Sequence, residues 1–404
     1  MPRDIELRYH LISLILAALA AIGPFSIDTY LPAFPEMRAA LGASQLGVQQ
    51  SLTAYLLPYS LMILWHGALS DAWGRRRTVL VGLTVYFIAS LGCAFAPNIE
   101  ALLGFRALQG ISAGAGMVVG RAIIRDLFEG PSAQRLMAQV QMIFGIAPAI
   151  APIIGGWLLA LFNWHSIFVF LALFAVALIV LVWLYLPETL DPAKRQSLQP
   201  AKLLSNFQRV FGHREFLPLA ITVGCNFSGF FLYVLSAPVF LLEHLKVSNQ
   251  GFAWLFVPTV TGMILGSYAS RRLAGKRTAE QTVALAYKVM FAAIAANVLL
   301  CMIVQPGVPW SVLPIMVYNF GMALAVPTVS LLALDLFPTL RGLVSSAQAF
   351  VQTLLGVVSA GLIAPLLYHW PLGLALGMAA YMLVGYGAWR RYLSVSHRAL
   401  PQVA

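Results

Sequence analysis

Two residues offer chemistry most plainly. Asp28 lies in SIDTYLPAFP (26–35) and Arg106 in FRALQGISAGAG (105–116), each inside a stretch otherwise nearly free of charge. An ionisable group held away from water costs several kcal/mol and marks a functional site by default. Arginine keeps its charge under ordinary conditions, so Asp28 is the member that can take up and release a proton. Loss of hydration disfavours a charged carboxylate and a nearby guanidinium favours it. A cavity alternately wet and dry would therefore tip the balance. The competing reading is structural: a salt bridge that only pins two helices together.

The elements that must position these two charges follow from composition. Of 404 residues, 60% are hydrophobic and 10% charged, against roughly 25% charged in a soluble domain. A bilayer accepts such a surface, and a helical span needs about 20 residues. Apolar spans are expected near 11–32, 48–69, 78–96, 99–120, 137–161, 164–186, 216–242, 251–270, 281–304, 310–334, 343–368 and 371–389. The first run starts basic and is rich in alanine, like a secretion signal, but it reads as a retained span because removing it would upset the charge map. Of the 25 basic residues, 22 fall on one side of that map, 2 (Arg38 and Lys246) on the other, and Arg106 within a span. The basic side faces the cytoplasm, which places both termini there. The net charge of +11 thus reports topology and gives no reason to expect nucleic-acid binding. Counted from outer ends near Pro35 and Ile99, Asp28 and Arg106 each lie seven residues in, or roughly 10 Å of helix. If spans 1 and 4 are neighbours, the two charges can interact directly or through one intervening group.

The polar stretch 187–215 divides the chain into an N-terminal six-helix bundle (1–186), a cytoplasmic linker (187–215) and a C-terminal six-helix bundle (216–404). Within the linker, 198–211 reads either as an amphipathic surface helix with Leu203, Leu204 and Phe207 on one side or as a solvated connection. GALSDAWGRRRT (67–78) and GSYASRRLAGKRT (266–278) form a weak internal repeat, each running from a span-end glycine to a basic cluster. Two six-span halves related by a parallel repeat are a known transporter plan, with substrate bound near the midplane between the halves.

The sequence has no GxxxxGK[ST] phosphate loop and no HExxH. Cys93, Cys225 and Cys301 fall singly within spans. Neither an enzyme, a resident metal nor a cofactor is expected, and energy would come from an ion gradient.

Four motifs, in register with spans 1, 2, 4 and 5, carry a resemblance to a known family. SIDTYLPAFP resembles the first-span signature of the bicyclomycin/chloramphenicol-resistance group of drug:proton antiporters in the major facilitator superfamily. GALSDAWGRRRT is similar to that superfamily's loop 2–3 motif, FRALQGISAGAG to the R-x-x-Q-G motif of proton-driven members, and GIAPAIAPIIGGWL (145–158) to the antiporter motif of span 5. The resemblance implies an all-α membrane fold of twelve helices in two six-helix bundles. It also implies that Asp71, with Gly67, Gly74, Arg75, Arg76 and Arg77, helps latch the halves, and that Asp28 and Arg106 couple transport to protons. Beside the resemblance, Gly67, Gly145, Gly155 and Gly156 are expected to allow close helix approach, and Pro148 and Pro152 to bend span 5. Arg106 and Gln109 share a helix face. The chain departs from the family pattern at Ile63, His66 and Ala68, and Ala20, Ala21 and Ile22 leave no second acidic residue ahead of Asp28, which implies coupling through one carboxylate.

Other polar or aromatic span residues are candidates to line a substrate cavity: Tyr30, Tyr55, Tyr59, Gln109, Gln139, Asn226, Tyr233, Tyr318, Asn319, Gln348 and Gln352. Each reads equally as an interhelical hydrogen bond, worth about 0.6 kcal/mol on average. The function expected is proton-coupled multidrug efflux by alternating access from a bacterial inner membrane, by a monomer in contact with small-molecule drugs, protons and lipid. The alternatives are a dedicated exporter of an amino acid, peptide or sugar and, in another class, a non-transporting membrane sensor or scaffold.

Overall fold

The computed structural model describes residues 3–128, 130–195 and 197–399, which are helical with no strand. The side chains of Arg3, Arg8, Arg135, Lys194 and Arg398, counted in the charge map, lie outside the described residues. Eleven described segments are long and apolar enough to cross a membrane. They are spans 1–6 (Leu11–Ala40, Gln45–Trp73, Arg75–Ala94, Ile99–Leu127, Met142–Leu161, Trp164–Tyr185), span 7 (Phe216–Leu235) and spans 9–12 (Ala279–Ile303, Leu313–Asp335, Arg341–Leu367, Pro371–Ser396). The helix expected as span 8 is present as Ala253–Leu273, 21 residues long. Thr259, Thr261, Ser267, Tyr268 and Ser270, with Arg271 and Arg272, dilute its apolarity. Large apolar side chains such as Leu14, Ile88, Leu173 and Leu366 are exposed on these helices, as a lipid-facing surface requires.

Local chemistry sets the helix ends. Asn98 and Asn163 cap spans 4 and 6 by accepting from the backbone N–H of Ala101 (2.9 Å) and Ser166 (3.3 Å). Span 1 is less regular than expected. Its α-helix stops at Asp28, and the chain continues through a 3₁₀ turn, Leu31–Ala33, into a short helix, Phe34–Ala40. Pro32 and Pro35 supply no backbone donor there. Span 7 also ends early, at Leu235, and passes into a π-helical stretch, Pro238–His244. Span 5's helix runs through both of its prolines, from Gly130 to Leu161.

The linker does form a helix, Pro200–Phe211. Its buried side is Phe207 and Val210, while Leu204 is 58% exposed. The expected grouping of Leu203, Leu204 and Phe207 fails because adjacent residues on a helix diverge by about 100°.

The chain divides into two compact units, Met1–Pro200 and Ala201–Ala404. Within the first, span 4 packs on spans 1, 2 and 3, and spans 1·5, 1·6 and 3·6 also touch. In the second, span 10 packs on spans 7, 8 and 9, and spans 7·11, 7·12 and 9·12 touch. Each of these pairings recurs six spans later, so the parallel repeat is present in the packing. The turn glycines match as well: Gly74 has φ +100° and Gly275 φ +76°, a region side chains rarely occupy.

Backbone meets backbone where span 5 crosses the break in span 1: a Cβ at Gly155 would overlap the Thr29 carbonyl oxygen. By contrast, Gly67 has 3.9 Å to Val118, and Gly145 has nothing within 4 Å. Close approach therefore explains Gly155 but neither Gly67 nor Gly145. Gly155→Ala is expected to lower stability by about 1–3 kcal/mol, the usual range for overpacking, and Gly145→Ala by far less. Thermal melting of the purified proteins in detergent checks both.

Candidate functional site

Arg106 organises the first unit. Its side chain is fully buried in span 4, with the guanidinium carbon 4.5 Å from the ring centres of both Tyr30 and Tyr55. Nη1 donates to Gln109 Oε1 (2.7 Å), and Nε reaches the Ser51 carbonyl at 3.5 Å. Gln109 in turn donates to Ser90 Oγ of span 3 (2.8 Å) and accepts from Cys93 Sγ (3.7 Å). Tyr30 and Ser51 hydroxyls pair at 3.0 Å, and Tyr86 and Ser26 at 2.5 Å. The guanidinium is thereby tied, directly or through one group, to spans 1, 2 and 3.

Asp28 stands apart from this network. The residue is 4% exposed, and its Oδ1 has no hydrogen-bond partner. The ion pairs among the described residues are Arg75–Asp71, Arg75–Asp126 and Arg341–Asp335, so none joins Asp28 to Arg106. Tyr30, two residues beyond Asp28, is stacked on Arg106. The arrangement holds a fixed positive charge against π faces and leaves a carboxyl at a helix break without a cation. Arg106 Nη2 is likewise unpartnered.

Several candidate cavity residues of this unit prove to be occupied. Tyr30, Tyr55 and Gln109 hold Arg106, Tyr59 stacks on Tyr55 with its hydroxyl 3.8 Å from Met117 Sδ, and Gln139 is exposed. His66 is buried beside Gly114 with Nδ1 unpartnered. In the second unit, Asn226 donates to the Tyr287 hydroxyl (3.1 Å) and its carbonyl accepts from Tyr318 (2.9 Å). Asn297 donates to Tyr233 (2.8 Å), so Asn226 and Tyr233 do share a face, toward span 9. Gln348 donates to Ser330 Oγ (2.9 Å), and Gln352 is half-buried. Asn319 differs: it is fully buried, and both amide atoms lack a partner.

The loop 2–3 motif is built around Arg75, which is nearly buried. It bonds Asp71, Ser70 Oγ (2.6 Å) and Asp126 Oδ2 (3.1 Å), and its backbone N–H donates to Glu188 Oε1 (2.8 Å). The Glu188 carboxylate fills the space beside Gly74 where a Cβ would stand. Arg76 donates to the Trp183 carbonyl (2.5 Å), and Arg77 is exposed. Asp126 and Glu188 escaped the sequence analysis, since carboxylates at span ends are ordinary. Pairing them with the RRR run after Gly74 was the available signal.

Arg106→Lys keeps the charge but loses the planar stack and the bond to Gln109. The expected result is a loss of stability of about 2 kcal/mol, the scale of a desolvated cation–π contact. Gln109→Glu, which offers the substituted lysine an anion, is expected to restore part of it in that background. Melting temperatures of the three proteins decide.

The description "Major Facilitator Superfamily" matches residues 16–361. Among similar proteins, the uncharacterized MFS-type transporter YdgK of Bacillus subtilis (strain 168) is 34% identical over 355 residues, covering 87% of this chain and 88% of the relative. A bicyclomycin resistance protein homolog of Haemophilus influenzae is 28% identical, covering 69% of this chain and 70% of the relative. Multidrug resistance protein D of Escherichia coli (strain K12) is 26% identical, covering 92% and 93% respectively. With its repeated helix pairings and this match, the chain belongs to the Major Facilitator Superfamily and is a multi-pass membrane transporter.

Proposed function

We propose that the chain is a proton-coupled exporter of small amphipathic or apolar compounds, antibiotics among them. The observation that carries this reading is the unpartnered Asp28 carboxyl at the break in span 1, in a unit whose buried arginine is already held by two tyrosines and a glutamine. An ionised carboxylate in apolar surroundings is relieved by whatever positive charge reaches it. A proton and a cationic compound therefore compete for one group, which is the requirement for exchange. Arg106 stays charged throughout and sets the potential in which that competition occurs. Names of relatives that refer to bicyclomycin and multidrug resistance support drugs as cargo.

The protein works by alternating access as a monomer in a bacterial inner membrane, with both termini in the cytoplasm. The six-helix bundles 1–186 and 216–404 are joined by the linker 187–215. Asn319, whose amide is buried and unmet, contacts cargo, and Asp71 with Arg75 acts in the latch.

In proteoliposomes with an imposed pH gradient, Asp28→Asn is expected to abolish proton-driven export while the protein folds and inserts normally. Full export by that variant would overturn the coupling scheme. Asn319→Ala is expected to change the order in which a panel of compounds is exported, with coupling intact. Growth of cells overexpressing each protein, across antibiotics and across amino acids, peptides and sugars, separates a drug exporter from a dedicated metabolite exporter.

A further inference from the structure

A second arginine sits inside the helix of span 4. Arg121 lies past the end expected for that span, near 120, yet the helix runs on to Leu127. It follows Arg106 by roughly 22 Å along the axis and about 60° around it. Its side chain is half-buried. Long side chains on a helix lean toward the N-terminal end, which carries the guanidinium back toward the level of Met117. The Tyr59 hydroxyl of span 2 lies within range of its charge, and so does Arg125, which is exposed one turn on.

The acids at this end of the unit are committed elsewhere. Asp71 and Asp126 pair with Arg75, and Asp126 also accepts from Thr189 Oγ1 (2.9 Å). Glu188 accepts from the backbone N–H groups of Arg75 (2.8 Å) and Leu190 (3.1 Å). None of the ion pairs among the described residues includes Arg121. The Tyr59 hydroxyl is poorly matched as well. It donates to Met117 Sδ at 3.8 Å, and a thioether is a weak acceptor. Gly23 of span 1 keeps space beside it, since a Cβ there would stand 3.5 Å from the hydroxyl. A carboxylate placed here accepts from a planar guanidinium and a phenol together, and charge-assisted bonds of this kind are the strong ones. Gly23 precedes Asp28 on the same helix by roughly 8 Å. Span 1 thus passes, over that length, from these two donors to a carboxyl whose Oδ1 has no partner.

We propose that Arg121 and Tyr59 receive the carboxylate of zwitterionic cargo, an apolar compound whose acid and amine stand roughly 8 Å apart. The proposal rests on Asp28 being the group for which the amine and a proton compete. A compound with both groups meets both charges of the unit. One with an amine alone leaves Arg121 without an anion in apolar surroundings, where a lone charge is costly.

Purified full-length protein in detergent at neutral pH is titrated with three fluorescent probes that share a dansyl group. Nα-dansyl-lysine carries an amine and an acid, Nα-dansyl-lysinamide the amine alone, and dansylnorleucine the acid alone. Wild type is expected to bind dansyl-lysine roughly tenfold more tightly than the lysinamide. Arg121→Gln brings the two to equal affinity. Arg121→Glu makes the lysinamide the tighter ligand, a reversal that misfolding cannot produce. Equal binding of the two by wild type, a preference kept by Arg121→Gln, no reversal in Arg121→Glu, or loss of lysinamide binding by either variant overturns the proposal. Dansylnorleucine is expected to bind more weakly than dansyl-lysine. If it binds as tightly, the amine has no partner, which overturns the competition at Asp28 and the zwitterionic class with it but leaves the contact of Arg121 with an acid. The two failures are therefore told apart by which probe departs from expectation.

Discussion

A positive charge that cannot be discharged, placed where no water reaches, is the constraint on which the first unit depends. Arg106 is fully buried, and its near neighbours are two aromatic faces, an amide and a carbonyl. These groups satisfy the guanidinium without neutralising it, as cation–π contacts do. The unit therefore keeps a net field. In a medium of low dielectric such a field reaches beyond ion-pair distance, and among the described residues no ion pair joins the arginine to Asp28. Spans 1, 2 and 3 each contribute a group that fixes the guanidinium. The packing around it is a requirement of the charge, and the helix break that presents Asp28 is part of that packing.

Much of this was legible in the residues alone. Hydropathy located the spans, and the two charges that stood out among apolar residues, Asp28 and Arg106, are both buried in the fold. Gly155 was expected as a packing glycine and meets the Thr29 carbonyl. Other features left no trace. Ser26, Ser51 and Ser90 bond backbone carbonyls of their own helices as well as tyrosine or glutamine partners. A serine in a membrane helix does the first of these routinely, so its sequence does not reveal the second. Gly67 and Gly145 carried the same pattern as Gly155, yet no neighbour approaches them closely. Small residues permit contact and do not specify it. The stop of span 1 at Asp28 was written in Pro32 and Pro35, but span length hid it.

The two units share their helix pairings while differing in their loops. Gly74 and Gly275 both keep a positive φ, so the tight turn after the second helix of each unit is common to both. The arginine held by Asp71, Asp126 and Glu188 belongs to the first unit. The repeat in the second unit carries no acidic residue from Gly266 to Thr278. The two units share the backbone geometry of the turn but not the ionic cluster beside it, because the turn is needed for the chain to reverse and the cluster is not.

The crossing of span 5 over Thr29 has one more consequence. It is a contact between main chains, and main-chain atoms are the same whatever side chains surround them. The depth of Asp28, one residue away, is thus set by a contact that a side chain at position 155 would break and that substitutions elsewhere hardly reach. The remaining walls are made of side chains and are open to change. Side chains along those walls can be exchanged one at a time while the carboxyl keeps its depth, so the shape of the unit and the placing of its buried acid are separable.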